Sequence, residues 1–155
     1  MNKLNYLRMR DAMRDTLAEL KPTLMVTHNF LGRYKAETAC QRMRQFYCSI
    51  QDHQFGRDWA KQFDRSWPVA YGFRQHPNTN PHYHVIVRAC PELTVAIAAD
   101  GPAIWDKLAR HGQLDVRRIL PGKLDRIIYS TRDLTHDQAW GDMFIYNDTR
   151  AHRPG

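Results

Sequence analysis

Apolar residues recur along this chain at two rhythms, and each rhythm predicts an element. Lys35 to Ile50 carries Ala36, Ala39, Cys40, Met43, Phe46, Tyr47 and Ile50 at helical intervals, which predicts an amphipathic helix. Asn2 to Leu20 carries a looser stripe of Leu4, Leu7, Met13, Leu17 and Leu20 with basic residues between, ended by Pro22, and predicts an N-terminal helix. Thr23 to Phe30 alternates instead, with Leu24, Val26, His28 and Phe30 on one side, as a strand requires. Trp67 to Arg74 alternates Trp67, Val69, Tyr71 and Phe73 against small or polar neighbours, and a short helix is expected before it around Trp59 and Phe63. In His82 to Arg88 the core-facing set is Tyr83, Val85, Val87 and Ala89, so His82, His84, Ile86 and Arg88 share the opposite face.

Gln75 to Pro81 has turn composition and joins the last two strands as an antiparallel hairpin. Glu92 to Arg110 reads as helical, broken at Asp100-Gly101-Pro102, where Asp100 could cap a new helix. A strand over Leu114 to Leu120 and a last helix after Pro121-Gly122 follow, with Asn147 to Gly155 expected to be a frayed tail. The order β-α-β-β-α-β predicts an α+β fold, a ferredoxin-like split βαβ sandwich. Its antiparallel sheet would have about four to five strands, helices on one face, an extra N-terminal helix and its other face open for a ligand. The 155 residues suit one domain, partitioned as 1–22 N-terminal helix, 23–134 core and 135–155 extension and tail.

A charge of +7, from 23 basic and 16 acidic residues, favours a polyanionic partner, nucleic acid first. The excess lies in residues 1–50 and 101–155, so the neutral middle that holds the histidine strand depends on its flanks for any basic footprint. Cys40, Cys48 and Cys90 are odd in number and lack Cys-x-x-Cys spacing, which argues against a disulfide framework and fits a reducing cytoplasm. With no apolar signal segment and no window long enough to span a bilayer, a soluble cytoplasmic protein with no membrane partner is expected.

His82 and His84 put imidazoles side by side on one strand face, half of a site for a divalent metal. The plainer alternative is a wet sheet surface that happens to carry histidines. In the last helix Leu124, Ile127, Ile128 and Thr131 form one stripe, from which Tyr129 points away, with Arg126 and Arg132 three residues to either side. That setting can hold a phosphate beside the phenol; a tyrosine packed at a core boundary is the alternative.

Taken in order, Thr23-Leu24-Met25-Val26-Thr27, Pro81-His82-Tyr83-His84-Val85-Ile86-Val87, Trp105 with Gly112 to Val116, and Tyr129-Ser130-Thr131-Arg132 resemble the HUH endonuclease superfamily. That superfamily comprises rolling-circle replication initiators, relaxases and single-strand transposases, and the likeness runs from about Thr23 to Leu134. The resemblance implies a divalent metal, Mg or Mn, on His82 and His84, a nucleophile at Tyr129, and Arg132 where the family has lysine. Asp133 stands where some initiators have a second tyrosine, implying a single-tyrosine enzyme. A third metal ligand is implied from a neighbouring strand. Because Trp67 to Pro81 holds no acidic residue, Gln75 and His76 are the local candidates, His76 preferred and His28 more remote.

The implied activity is nicking and transfer of single-stranded or hairpin DNA through a 5′-phosphotyrosyl intermediate. Arg88, Arg117, Arg118 and Arg126 are the expected DNA contacts. A host helicase would have to be supplied as a partner for replication, and the chain could act as monomer or homodimer. Two other classes stay open: a catalytically weak DNA-binding regulator on the same scaffold, and an RRM-like RNA binder, for which an aromatic RNP motif is lacking. The N-terminal helix is expected to cap the sheet, with DNA binding through Arg8, Arg10 and Arg14 as the alternative.

Overall fold

The computed structural model describes residues 1–57 and 67–147. The expected helix around Trp59 and Phe63 and most of the expected tail lie outside the described residues. In chain order the elements are α1 (Lys3–Glu19), β1 (Leu24–Asn29), α2 (Ala36–Phe55), β2 (Val69–Gln75) and β3 (His82–Arg88). These are followed by α3 (Pro91–Leu108), β4 (Leu114–Arg118), α4 (Asp125–Ser130), α5 (Asp137–Gly141) and β5 (Phe144–Tyr146). One five-stranded antiparallel sheet results, in the order β4-β1-β3-β2-β5. Its first four strands are those of the split βαβ sandwich, so the expected α+β class and N-terminal helix are present. Among the described residues, no helix is long and apolar enough to cross a membrane.

On one face of the sheet, α2 and α3 bury Leu24, Val26, Tyr83, Val85 and Val87 against Met43, Phe46, Ile97 and Trp105. Gly56, at φ 80, ends α2 in a conformation that only glycine adopts without strain. At its N-terminus α1 is capped by Asn2, whose side chain accepts from the Asn5 amide at 3.0 Å.

The other face is not open. Met25, Phe73, Ile86 and Ile119 form a second core there with Leu17 of α1, Ile127 of α4, Leu134 and Ala139 of α5. Ile86, between His84 and Arg88, is the residue that demands this cover, because an exposed strand face would leave its side chain in water. Helices therefore lie on both faces.

The expected break at Asp100-Gly101-Pro102 does not occur; α3 runs through it. Gly101 lies where α3 presses on α2, and a β-carbon there would stand 3.3 Å from Phe46 Cζ and 3.0 Å from Leu114 Cδ2. Pro102 and Ala98, four residues earlier, are exposed, so water can take the carbonyl that proline leaves without a donor. Asp100 binds His53 of α2 instead of capping a helix, Oδ2 to Nε2 3.2 Å. Within the expected extension, Phe144 and Tyr146 turn inward and add β5 to the edge of β2.

His28 lies wholly inside the first core, with Tyr47 Oη 3.1 Å from its Nε2 and Phe46 and Trp105 around the ring. Burial pushes its imidazole down to about 3. The folded state thus prefers the neutral ring. Its contribution to stability is complete above the unfolded-state value near 6.5 and is lost as pH falls toward 3. Between pH 7 and pH 5 the wild type should lose about 2 kcal/mol more than His28→Phe. Urea midpoints at the two pH values check this; equal losses would contradict it.

Candidate active site

The antiparallel register sets the site. His84 of β3 stands opposite Thr27 of β1 on one side and Phe73 of β2 on the other, while His82 stands between Asn29 and Gln75. Directly opposed residues share a face, so Thr27, His82, His84 and Gln75 lie together at one end of the sheet.

His82 Nδ1 is 2.9 Å from the Asn80 carbonyl oxygen, which can only accept, so Nδ1 carries a proton and donates it there. His84 is 6% exposed, with Nδ1 3.0 Å from Thr27 Oγ1. Burial first, then the neighbouring His82 and Arg132, pushes its imidazole down to about 4. At neutral pH it is therefore an uncharged ring. Its Nε2 is buried without a hydrogen-bond partner.

Gln75 is fully buried, its Nε2 donating to the Ser130 carbonyl of α4 at 3.1 Å and its Oε1 without a partner. Two orphaned polar atoms, on paired strands and one face, thus sit beside His82. Such groups each cost about 1–3 kcal/mol when left unmet, and an explanation is owed for them. An imidazole nitrogen and an amide oxygen with free lone pairs are of the types that bind metals.

His76 fits less well. It is exposed at a turn with φ 48, its ring centroid 5.7 Å from that of His82. Among the described residues, no group of three or more His, Cys, Asp or Glu side chains could hold a metal. Gln75, opposite His82 on β2 and with an unpartnered amide oxygen, is a donor of another type beside the two histidines. His28 faces the opposite core and is excluded by position.

Tyr129 is 47% exposed on α4, its ring centroid 5.2 Å from that of His84. The guanidinium of Arg132 lies 4.1 Å from the phenol's ring centroid, a cation–π contact. The predicted stripe on this helix is corrected: Ile127, Ser130 and Thr131 are buried, whereas Leu124 and Ile128 are exposed with Tyr129. A helix this short gains little from its own hydrogen bonds, so tertiary contacts must fix it. Arg14 of α1 donates through Nε to Thr131 Oγ1 at 2.8 Å and through a terminal nitrogen to the Ile128 carbonyl at 3.1 Å. Arg10 reaches the Arg132 carbonyl at 3.4 Å. These cations meet the carbonyl end of α4, where the helix dipole favours them. The N-terminal helix thus caps the sheet, and Arg10 and Arg14 serve the helix that carries Tyr129.

No family model, curated protein or solved structure matches the chain.

The expected DNA-contacting arginines are scattered. Arg126 is half-buried one turn before Tyr129, and Arg117 pairs with Asp115 at 2.8 Å on the edge strand. Arg118 faces a cavity away from the histidines. Arg88 is exposed at the far end of β3, about 13 Å from His84 by strand rise. Of the residues that build the site, Thr27 has no role assigned from the sequence, and Arg14 is weighed there only as a DNA contact. Only the strand register and the packing of α1 bring them in. Two imidazoles, an amide oxygen, a phenol and a guanidinium are a set suited to a divalent metal and a phosphate ester.

Proposed function

We propose that this chain is a metal-dependent, single-tyrosine endonuclease and strand transferase of the HUH type, acting on single-stranded or hairpin DNA. What carries the reading is the juxtaposition of orphaned His84 Nε2 and Gln75 Oε1 with the half-exposed phenol of Tyr129. His82, His84 and Gln75 would hold Mg or Mn, which when bound supplies Lewis-acid stabilisation of the phosphate's charge.

Tyr129 is the nucleophile. Its Oη forms a bond to phosphorus as the bond from phosphorus to the 3′ oxygen breaks. The phenol gives its proton to solvent and the departing 3′ oxygen takes one back. The product is a 5′-phosphotyrosyl strand and a free 3′-hydroxyl, and attack by that hydroxyl or another reverses or transfers the strand. Arg132, stacked on the ring, brings a fixed positive charge to the phosphate and holds the phenol's orientation. Thr27 and the Asn80 carbonyl orient the two imidazoles. An unpaired strand is required because a phenol on a short helix must reach the backbone. Cysteines outside any disulfide suit such an enzyme in the cytoplasm.

The test is cleavage of 5′-labelled single-stranded oligonucleotides in Mn²⁺. Fragments with 3′ ends that a polymerase extends should appear with the metal and vanish with chelator; uncut substrate across a broad sequence panel would contradict the proposal. The ligand assignment gives a separate expectation. Gln75→Leu should weaken Mn²⁺ binding by about 10- to 100-fold and Gln75→Glu should restore it, whereas His76→Ala should change it less than about twofold. Isothermal titration with Mn²⁺ reads all three, and the reverse ranking would return the third position to His76.

A further inference from the structure

At the end of the sheet opposite His82, the C-terminal end of α1, the start of α3 and the loop between β4 and α4 enclose a cavity of about 650 Å³. Ala18, Ile119 and Ile127 contribute apolar surface, Lys21, Arg118 and Lys123 contribute charge, and no carboxylate lines it. A shallower hollow shares Arg118, Lys123 and Leu124 and runs on past the carboxylate of Asp125 to Arg126. That hollow leads up α4, where Tyr129 lies five residues past Leu124, about 7.5 Å along the axis. Leu124 and Ile128 are exposed along the way, at 47% and 49%.

We propose that this cavity binds an unpaired nucleotide of the same DNA strand whose phosphate reaches Tyr129. The base would rest on the apolar floor and the flanking phosphates on Lys21, Arg118 and Lys123. An apolar recess ringed by cations and free of carboxylates selects a ligand in which flat apolar groups alternate with negative charge, and a single nucleic-acid strand is that polymer. Continuity with α4 makes the strand at Tyr129 the one within reach. The identity of that strand rests on the nuclease reading; the cavity's affinity for single-stranded DNA does not.

Fluorescence anisotropy with a labelled single-stranded oligonucleotide tests it on the full chain, with thermal melts to confirm folding. Lys21→Ala/Lys123→Ala should lower the magnitude of the slope of log affinity against log salt by about 1.4, at about 0.7 per phosphate. Ala18→Trp, filling the cavity from a half-buried position, should weaken binding about tenfold with the slope unchanged. Should Ala18→Trp fail to fold, the lysine pair still decides. Wild-type affinity and slope in folded lysine-pair protein would overturn the proposal. So would an acid-rich helical peptide that needs these lysines while the oligonucleotide does not, which would make the cavity a protein-docking site. A covalent adduct in the wild type with oligonucleotide affinity unmoved by the variants rejects the cavity alone. Affinity lost in the variants with no adduct in the wild type rejects the nuclease reading alone.

Discussion

His84→Ala should abolish the stabilisation that Mn²⁺ gives to the wild type and reduce strand cleavage by about 10²- to 10³-fold. The fold should survive. Removing the ring opens a small void but also removes a buried nitrogen that has no partner, and these effects oppose each other. Thermal melts with and without Mn²⁺ separate the metal from the scaffold: the wild type should shift upward with metal and the variant should not. An equal Mn²⁺ shift in both proteins would remove His84 from the metal site. Thr27→Val, which takes away the hydroxyl 3.0 Å from His84 Nδ1, should give a smaller loss of about 10- to 100-fold in metal affinity.

Trp105→Ala should cost about 3–5 kcal/mol of stability, a large part of what a domain of this size possesses. Trp105 is fully buried, with ring centroids of His28, Phe30 and Phe46 at 4.4, 5.1 and 5.9 Å. Its indole nitrogen donates to the Asn29 carbonyl at 3.0 Å. Asn29 is the residue opposite His82, so the same indole pins the β1 end of the site. Trp105→Phe should retain most of the packing and lose about 1 kcal/mol for the hydrogen bond. Urea titration of both variants reads the difference; a Trp105→Ala loss below about 1 kcal/mol would show that this core tolerates the void.

Local pattern reached some of these features and could not reach others. The period of two in His82 to Arg88 put His82 and His84 on one face, and the helical interval in Lys35 to Ile50 placed the helix that backs the sheet. Gly101-Pro102 was misleading because a helix-breaking pair can be accommodated when glycine permits close packing and proline faces water. The orientation of α4 was only half legible. Six residues give too little periodicity to rank Leu124 and Ile128 against Ser130 and Thr131, and burial there is decided by α1 and the sheet. Gln75 shows the same limit more sharply. Glutamine is usually a surface residue, and only the pairing of β2 with β3 and the approach of Ser130 make it a buried donor with an idle oxygen. β5 is three residues long and becomes a strand because β2 offers it an edge.

The central claim is that a metal held by His82, His84 and Gln75 serves the phenol of Tyr129 in strand transfer. It is tested most directly by intact-mass and peptide mass spectrometry of the chain after incubation with single-stranded DNA and Mn²⁺. The account predicts a covalent oligonucleotide on the peptide containing Tyr129, absent with chelator and absent from Tyr129→Phe. Protein that binds the oligonucleotide but stays unmodified across a broad sequence panel, or an adduct that persists in Tyr129→Phe, would contradict it.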